Sequence, residues 1–145
     1  MKKLFILAVI AIATGTSAFA NGSASKAIKH FATTFSAATN VSWNSNGKFE
    51  KATFELNNET ITAFYNEDGG LVGTSKKVSF DKLPKTALKT IATQYPFPEY
   101  QILECIEFSN DQAQKKYYTS FTTEDTTVVL EIFENGRVSV FSETE

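Results

Sequence analysis

One histidine and one cysteine, His30 and Cys105, occur in the 145 residues, and together they bound any nucleophilic or metal chemistry. A cysteine nucleophile needs a base within hydrogen-bond reach and a third group to orient that base. Cys105 falls on an inward strand position, where a free thiol packs as a small hydrophobe. His30 adjoins the apolar stripe of a helix and reads as a surface residue. One His and one Cys do not make a zinc cage, and no His pair stands at i, i+4. Asp68 in Asn66-Glu67-Asp68-Gly69 lacks the spaced ligands of a calcium loop and reads as a turn. The carboxylate pairs Glu104 with Glu107 and Glu131 with Glu134 are three apart, so on a strand they point to opposite faces and do not converge as acid and base. Gly69-Gly70-Leu71-Val72-Gly73 is a hairpin without the Lys-Ser/Thr element of a phosphate loop. Lys76, Lys77, Lys82, Lys85 and Lys89 make a modest basic strip that reads as a solvated face. The residues thus point to no enzyme, no metal and no cofactor.

The elements that position these groups come from an internal repeat. At a shift of 60, Ile28, Phe31, Ala32, Thr33 and Phe35 fall on Leu88, Ile91, Ala92, Thr93 and Tyr95. Both sets carry the i, i+3, i+7 spacing of one helix face. At a shift of 67, Ala52, Phe54, Thr60, Ile61, Ala63 and Tyr65 fall on Thr119, Phe121, Thr127, Val128, Leu130 and Ile132, and Asp68-Gly69 on Asn135-Gly136. The extra residues sit around Ser109–Lys115, in a lengthened hairpin. Each half therefore reads as a helix followed by four strands, over 21–79 and 80–145. Ser25 is placed as the N-cap of a helix running to Ala37, with strands near 40–45, 48–56, 59–66 and 70–78. Asn46-Gly47, Asn57-Asn58 and Asp68-Gly69 mark the turns, since these residues tolerate positive φ. Asp81 or the Leu83-Pro84 step opens the second helix, Pro96 and Pro98 end it, and strands follow near 100–108, 115–122, 126–133 and 137–142.

Strand alternation assigns an inward set. In the first half it is Val41, Trp43, Ala52, Phe54, Leu56, Ile61, Ala63, Tyr65 and Leu71. In the second half it is Leu103, Cys105, Tyr117, Thr119, Phe121, Val128, Leu130, Ile132, Val138 and Val140. Each helix buries its apolar stripe on this side, and the chain is a small α+β domain with no disulfide to staple it.

Residues 1–20 read as a secretory signal: Met1-Lys2-Lys3, an apolar run from Leu4 to Ala13, and Ala18-Phe19-Ala20 as the cleavage site, with cleavage after Ala20. That run is half the length a membrane span needs. Removing Lys2 and Lys3 leaves 12 basic against 16 acidic groups, a formal charge of −4. This balance does not suit nucleic acid and fits a periplasmic or secreted protein.

Several of these segments resemble the PepSY-like family of exported proteins. They are the helix with Phe31 and Phe35 leading to Val41-Ser42-Trp43, the strand ending Ala52-Thr53-Phe54, the Ala63-Phe64-Tyr65-Asn66-Glu67-Asp68-Gly69 hairpin, Leu83-Pro84, Ile91 and Tyr95-Pro96. The resemblance covers about residues 26–145. It implies a fold similar to β-lactamase inhibitory protein: tandem repeats of a helix plus a four-stranded antiparallel meander, their sheets joined into one. The inhibitor analogy rests on fold, and no inhibitor contact residue carries over because no local motif matches one.

Helices drawn from both halves cover one face of such a sheet. On the other lie Phe49, Phe64, Tyr118, Phe133 and Phe141, with Ile102, Ile106 and Phe108 beside them and Lys51, Glu55, Lys116 and Glu131 interspersed. Exposed aromatics among charges are the composition of a binding surface. A parity slip at a bulge, or singly scattered aromatics, is the alternative. The function expected is that of an exported, non-enzymatic binding module whose open face engages a protein or peptide partner, a restrained hydrolase being one such partner. The competing readings are a small-molecule or lipid carrier with a closed apolar cavity between the repeats, and a structural envelope protein that self-associates through the same face.

Overall fold

A computed structural model of the protein describes residues 22–46 and 48–145. The export signal read at 1–20 and its cleavage after Ala20 lie outside the described residues, as does Gly47 of the first hairpin turn. Helix α1 spans Gly22–Thr34 and is followed by strands β1 (Thr39–Ser45), β2 (Glu50–Leu56), β3 (Glu59–Tyr65) and β4 (Leu71–Lys77). A 3-10 turn at Phe80–Lys82 leads to helix α2 (Lys85–Gln94), then β5 (Gln101–Asn110), β6 (Lys115–Thr122), β7 (Thr127–Phe133) and β8 (Val138–Thr144). Ser25 lies inside the first turns of α1 instead of capping it, and the helix stops at Thr34, short of Ala37. Pro84 occupies the N-cap position of α2. Tyr95 and Pro96 end that helix, since proline cannot continue the backbone ladder.

The eight strands form one antiparallel sheet in chain order, β1 to β8. Six of the seven neighbouring pairs follow one another directly in the chain, whereas β4 and β5 pair across the excursion of α2, from Gly73↔Asn110 to Lys77↔Ile106. The turns follow from residue chemistry. Asn57 and Asn58 both take positive φ, 52° and 64°, which a two-residue hairpin needs and asparagine tolerates. Asn66 Oδ1 accepts from the Asp68 and Gly70 amides at 3.0 and 2.8 Å. Asn110 does the same for Gln112 and Gln114 at 3.0 and 2.9 Å.

Both helices pack on the same side. Ala63, Thr74 and Ser109 stand in one row across β3, β4 and β5. Cys105, four residues from Ser109 on the same strand, continues through Thr119 to Leu130. Alternation therefore puts the buried residues of both halves on one face. The first core gathers Ala27 and Phe31 of α1 with Ala52, Phe54, Ala63 and Tyr65. The paired alanines Ala52 and Ala63 leave room for Phe31, whose ring meets Phe54 edge-on at 4.9 Å. The second core gathers Leu83, Ala87 and Ile91 with Cys105, Phe121, Val128, Leu130 and Ile132. Between them the same face is polar: Lys76 pairs with Glu59 at 3.0 Å and Lys115 with Glu107 at 3.2 Å.

Three residues expected inward are exposed instead: Val41 at 40%, Leu103 at 60% and Val140 at 55%. The first two sit at irregularities of register, between Thr39 and Ser42 in β1 and between Ile102 and Glu104 in β5. An extra residue in one strand breaks the two-residue period locally. Val140 keeps its parity opposite the buried Leu130, but it stands on the edge strand.

Gly136 closes the β7–β8 turn at φ +83° and lies against the start of α2, where a Cβ would run into the Thr86 hydroxyl. Alanine there incurs the left-handed backbone penalty of about 1–2 kcal/mol in addition to that collision. Gly136→Ala should therefore lower the unfolding free energy by about 2 kcal/mol or more, read as a drop in midpoint in thermal or urea unfolding.

Candidate functional site

The face opposite the helices carries three rows of side chains fixed by register. Lys51, Phe64, Gly73 and Asn110 form one. Ser75, Phe108, Lys116 and Phe133 form the second. Lys77, Ile106, Tyr118, Glu131 and Ser139 form the third. No described helix covers this face.

Its aromatic rings are nevertheless half-covered, by one another and by charged neighbours. Phe64 is only 8% exposed. Its ring lies 6.2 Å from that of Phe108, and the Lys51 ammonium sits 5.7 Å from its centroid. Gly73 makes this packing possible: a Cβ there would come within 2.6 Å of Phe108 Cζ, so the bare backbone serves as the floor for the ring. Glycine is used here for close approach, not for an unusual backbone angle.

The second cluster is built on Glu131. Its Oε1 accepts from Lys116 Nζ at 2.8 Å and from the Tyr118 hydroxyl at 3.0 Å. Lys116 also lies 4.8 Å from the Phe133 centroid, and the Arg137 guanidinium stacks on the same ring at 4.0 Å. Such cation–ring contacts hold both partners in place while leaving charge at the surface. Tyr118 meets Phe141 edge-on at 5.2 Å. Phe141 is the extra residue where β8 shifts register against β7, between Ser142 opposite Val129 and Val140 opposite Leu130. Phe49 directly precedes β2, shares the parity of Lys51 and is half-buried. A concavity of about 520 Å³ opens beside this cluster, lined by Phe108, Tyr118 and Phe133 together with the polar Asn110, Gln114 and Lys116 among others. That lining differs from the closed, mainly apolar cavity expected of a carrier.

Of the five aromatics singled out in the sequence, the structure brings Tyr118 and Phe141 into contact and sets Phe133 on the neighbouring ladder beside them. Phe64 stands in a separate cluster nearer the centre of the sheet. Phe108, Gly73 and Arg137 are the residues that sequence reasoning undervalued. Phe108 carried a parity signal, whereas the roles of Gly73 and Arg137 depend on cross-strand neighbours. Ile102 faces Phe121 across the ladder and so belongs with the helix side, not the open face.

The residues weighed for chemistry are held apart. His30 Nδ1 lies 3.2 Å from the Tyr65 hydroxyl, at the first core. Cys105 belongs to the second core, where it accepts a hydrogen bond from Thr119 Oγ1 at 3.3 Å. Burial pushes its thiol up, against the lowering effect of that hydrogen bond. Glu104 pairs with Lys77 on the open face and Glu107 with Lys115 on the helix face. Among the described residues no three His, Cys, Asp or Glu side chains gather as a metal site. No described helix is long and apolar enough to cross a membrane.

Solved structures share this architecture. A DUF2874 family protein from Bacteroides uniformis superposes with a TM-score of 0.66 at 13% identity, over 87% of this chain and 89% of that one. A Bacteroides eggerthii protein, provisionally assigned by its name to the periplasm, gives 0.66 at 15% identity, over 88% and 89%. A BLIP-like protein from Bacteroides fragilis gives 0.65 at 13% identity, over 83% and 84%. Neither a protein-family model nor a curated protein matches the chain. The chain thus has the α+β fold of BLIP-like proteins, with two helices on an eight-stranded antiparallel sheet. None of these neighbours bears the name of an enzyme.

Two phenols, the buried Tyr65 and the half-buried Tyr118, give the fold an alkaline limit. Burial raises the Tyr65 hydroxyl to about 12. Burial, followed by the hydrogen bond and charge of Glu131, holds Tyr118 further above the ordinary phenol range. In the unfolded chain both ionise near 10. Their contribution is therefore complete below about pH 10 and is lost as pH rises through the folded-state values. The thermal midpoint should fall between about pH 10 and 12, and Tyr118→Phe should flatten that fall; an equally steep profile in the variant would remove Tyr118 from the account.

Proposed function

We propose that this protein is an exported, non-enzymatic binding module of the PepSY-like type, delivered to the periplasm or secreted after cleavage behind Ala20. Its open sheet face engages a protein or peptide partner, and restraint of a hydrolase is one outcome of such engagement. Phe49, Phe64, Tyr118, Phe133 and Phe141 are the proposed contact residues, with Phe108 and Arg137 added on the geometry above. The observation that carries this reading is a broad strand surface without a helix layer, where the half-buried Tyr118 and Phe133 are fixed by Lys116, Arg137 and Glu131 before any partner arrives, beside the buried Phe64 under Lys51. Preset aromatic anchors within a charged surround reduce the ordering cost of association.

The accompanying reading, that 21–79 and 80–145 are tandem repeats of a helix and four strands, is supported by matching turns. Gly69 and Gly136 take φ of +80° and +83°. Each donates its amide to the carbonyl three residues earlier, Asn66 at 3.0 Å and Phe133 at 2.8 Å.

Phe64 supplies burial as well as contact surface, so its loss should destabilise the fold. The cleaner test is Phe133→Ser with Phe141→Ser. The double variant should melt within a few degrees of wild type yet fail to retain a partner that the wild type captures from the envelope fraction of its own cell. Equal capture by a folded variant would end the proposal, and unfolding of the variant would make these rings core.

A further inference from the structure

A second surface, separate from the open face, lies at the end of the sheet where β5 begins. Gln101, Thr122, Thr127 and Thr144 form one row across β5 to β8, so the loops 95–100 and 123–126 and the end of β8 meet there. The β4–β5 ladder ends at Lys77↔Ile106, and its last bond runs from the Val78 amide to the Cys105 carbonyl at 3.0 Å. Residues 101–104 therefore have β6 on one side and no described strand on the other. This strip and the loop before it hold the two most exposed large apolar side chains described, Phe97 at 82% and Leu103 at 60%, together with Ile102 at 48%.

The loop is anchored rather than loose. Tyr95 stacks on Phe121 at 5.6 Å and meets Tyr100 edge-on at 5.1 Å, and the Tyr100 amide donates to the Pro96 carbonyl at 3.1 Å. Phe97 is thereby presented outward on a fixed turn. The charge at this end is predominantly acidic, and Lys82 of the adjoining 3-10 turn, whose Phe80 meets Phe121, is paired with Asp81 at 3.8 Å. Segments 95–103, 122–127 and 143–145 carry the exposed Glu99, Glu124, Asp125, Glu143 and Glu145 and contain no Lys or Arg. Lys77, on the adjoining strand, is held by Glu104 at 2.9 Å.

We propose that this end of the sheet docks an extended peptide segment bearing basic and apolar side chains, which adds as a strand beside residues 101–104. Main-chain hydrogen bonds along a free strand edge supply affinity, and the side chains on alternate positions supply specificity. Phe97 and Leu103 receive the apolar side chains, and the surrounding carboxylates select a cationic partner. A second copy of this chain is disfavoured, because pairing strip to strip would bring the two acidic sets together. The inference does not depend on the open-face reading.

The test uses two short synthetic peptides, one alternating lysine and valine, the other glutamate and valine, titrated into the isotopically labelled protein at low salt. The lysine peptide should bind about tenfold or more tightly than the glutamate peptide, shift the amides of 101–104, and weaken as salt is raised. Leu103→Ser should reduce its affinity about tenfold, as loss of one apolar anchor does. Phe97→Ser gives an independent second variant, and the exposure of both sites leaves the fold intact. Equal binding of the two peptides, shifts confined to Phe108 and Phe133, or an affinity untouched by both variants would overturn the proposal. So would concentration-dependent dimerisation abolished by Leu103→Ser. A failure confined to this strip leaves the open-face proposal standing, since that one is read at Phe133 and Phe141.

Discussion

Two short helices cannot cover both faces of an eight-stranded sheet, and much of this molecule follows from that shortage. Helices of 13 and 10 residues span about 20 and 15 Å. Eight strands at their usual spacing make a layer roughly 34 Å wide. Both helices lie on one side, each over its own group of strands, and the apolar interior divides into two cores. Where neither helix reaches, the helix side carries ion pairs instead of aliphatic residues, as Lys76 with Glu59 and Lys115 with Glu107 illustrate. The β4–β5 ladder joins the two halves into one layer.

The bare side meets the same shortage differently. Aromatic residues without a covering layer lose contact with water by packing on each other, on a glycine backbone and beneath the stems of long cations. Phe64 reaches core-like burial in this way, through Phe108, Gly73 and Lys51. Phe133 is flanked by Lys116 and Arg137 while Glu131 fixes Lys116 and Tyr118. The long side chains cover apolar area with their methylenes and keep their charge at the surface. The result is an ordered surface on which Phe133 and Phe141 stay half-exposed while Phe64 is buried.

Irregularities of strand pairing decide where apolar side chains escape to solvent. The break in β5 turns Leu103 outward just beyond the last hydrogen bond from β4, and the extra residue of β8 sets Phe141 beside Tyr118. Both surfaces thus owe a residue to a bulge. Alternation along the sequence identified Ala52, Phe54, Ala63, Tyr65, Thr119, Phe121, Leu130 and Ile132 as inward, and each is buried. It misplaced Val41 and Leu103, because a two-residue period carries no mark of an inserted residue. It misplaced Val140 because alternation tells which face a residue takes but not how far the helix layer extends.

Local chemistry alone was enough to set the helices, the turns and the facing of most strand residues. Asparagine and glycine at positive φ, prolines around α2 and alternating apolar residues all act within a few residues of chain. Tertiary structure decided the rest: that Gly73 supports Phe108, that Arg137 lies over Phe133, and that β5 runs on past the end of its ladder with β4. Each of these depends on which strands become neighbours and in what register. Register is a long-range property, set by the packing of whole strands, and the order of residues along one strand does not contain it.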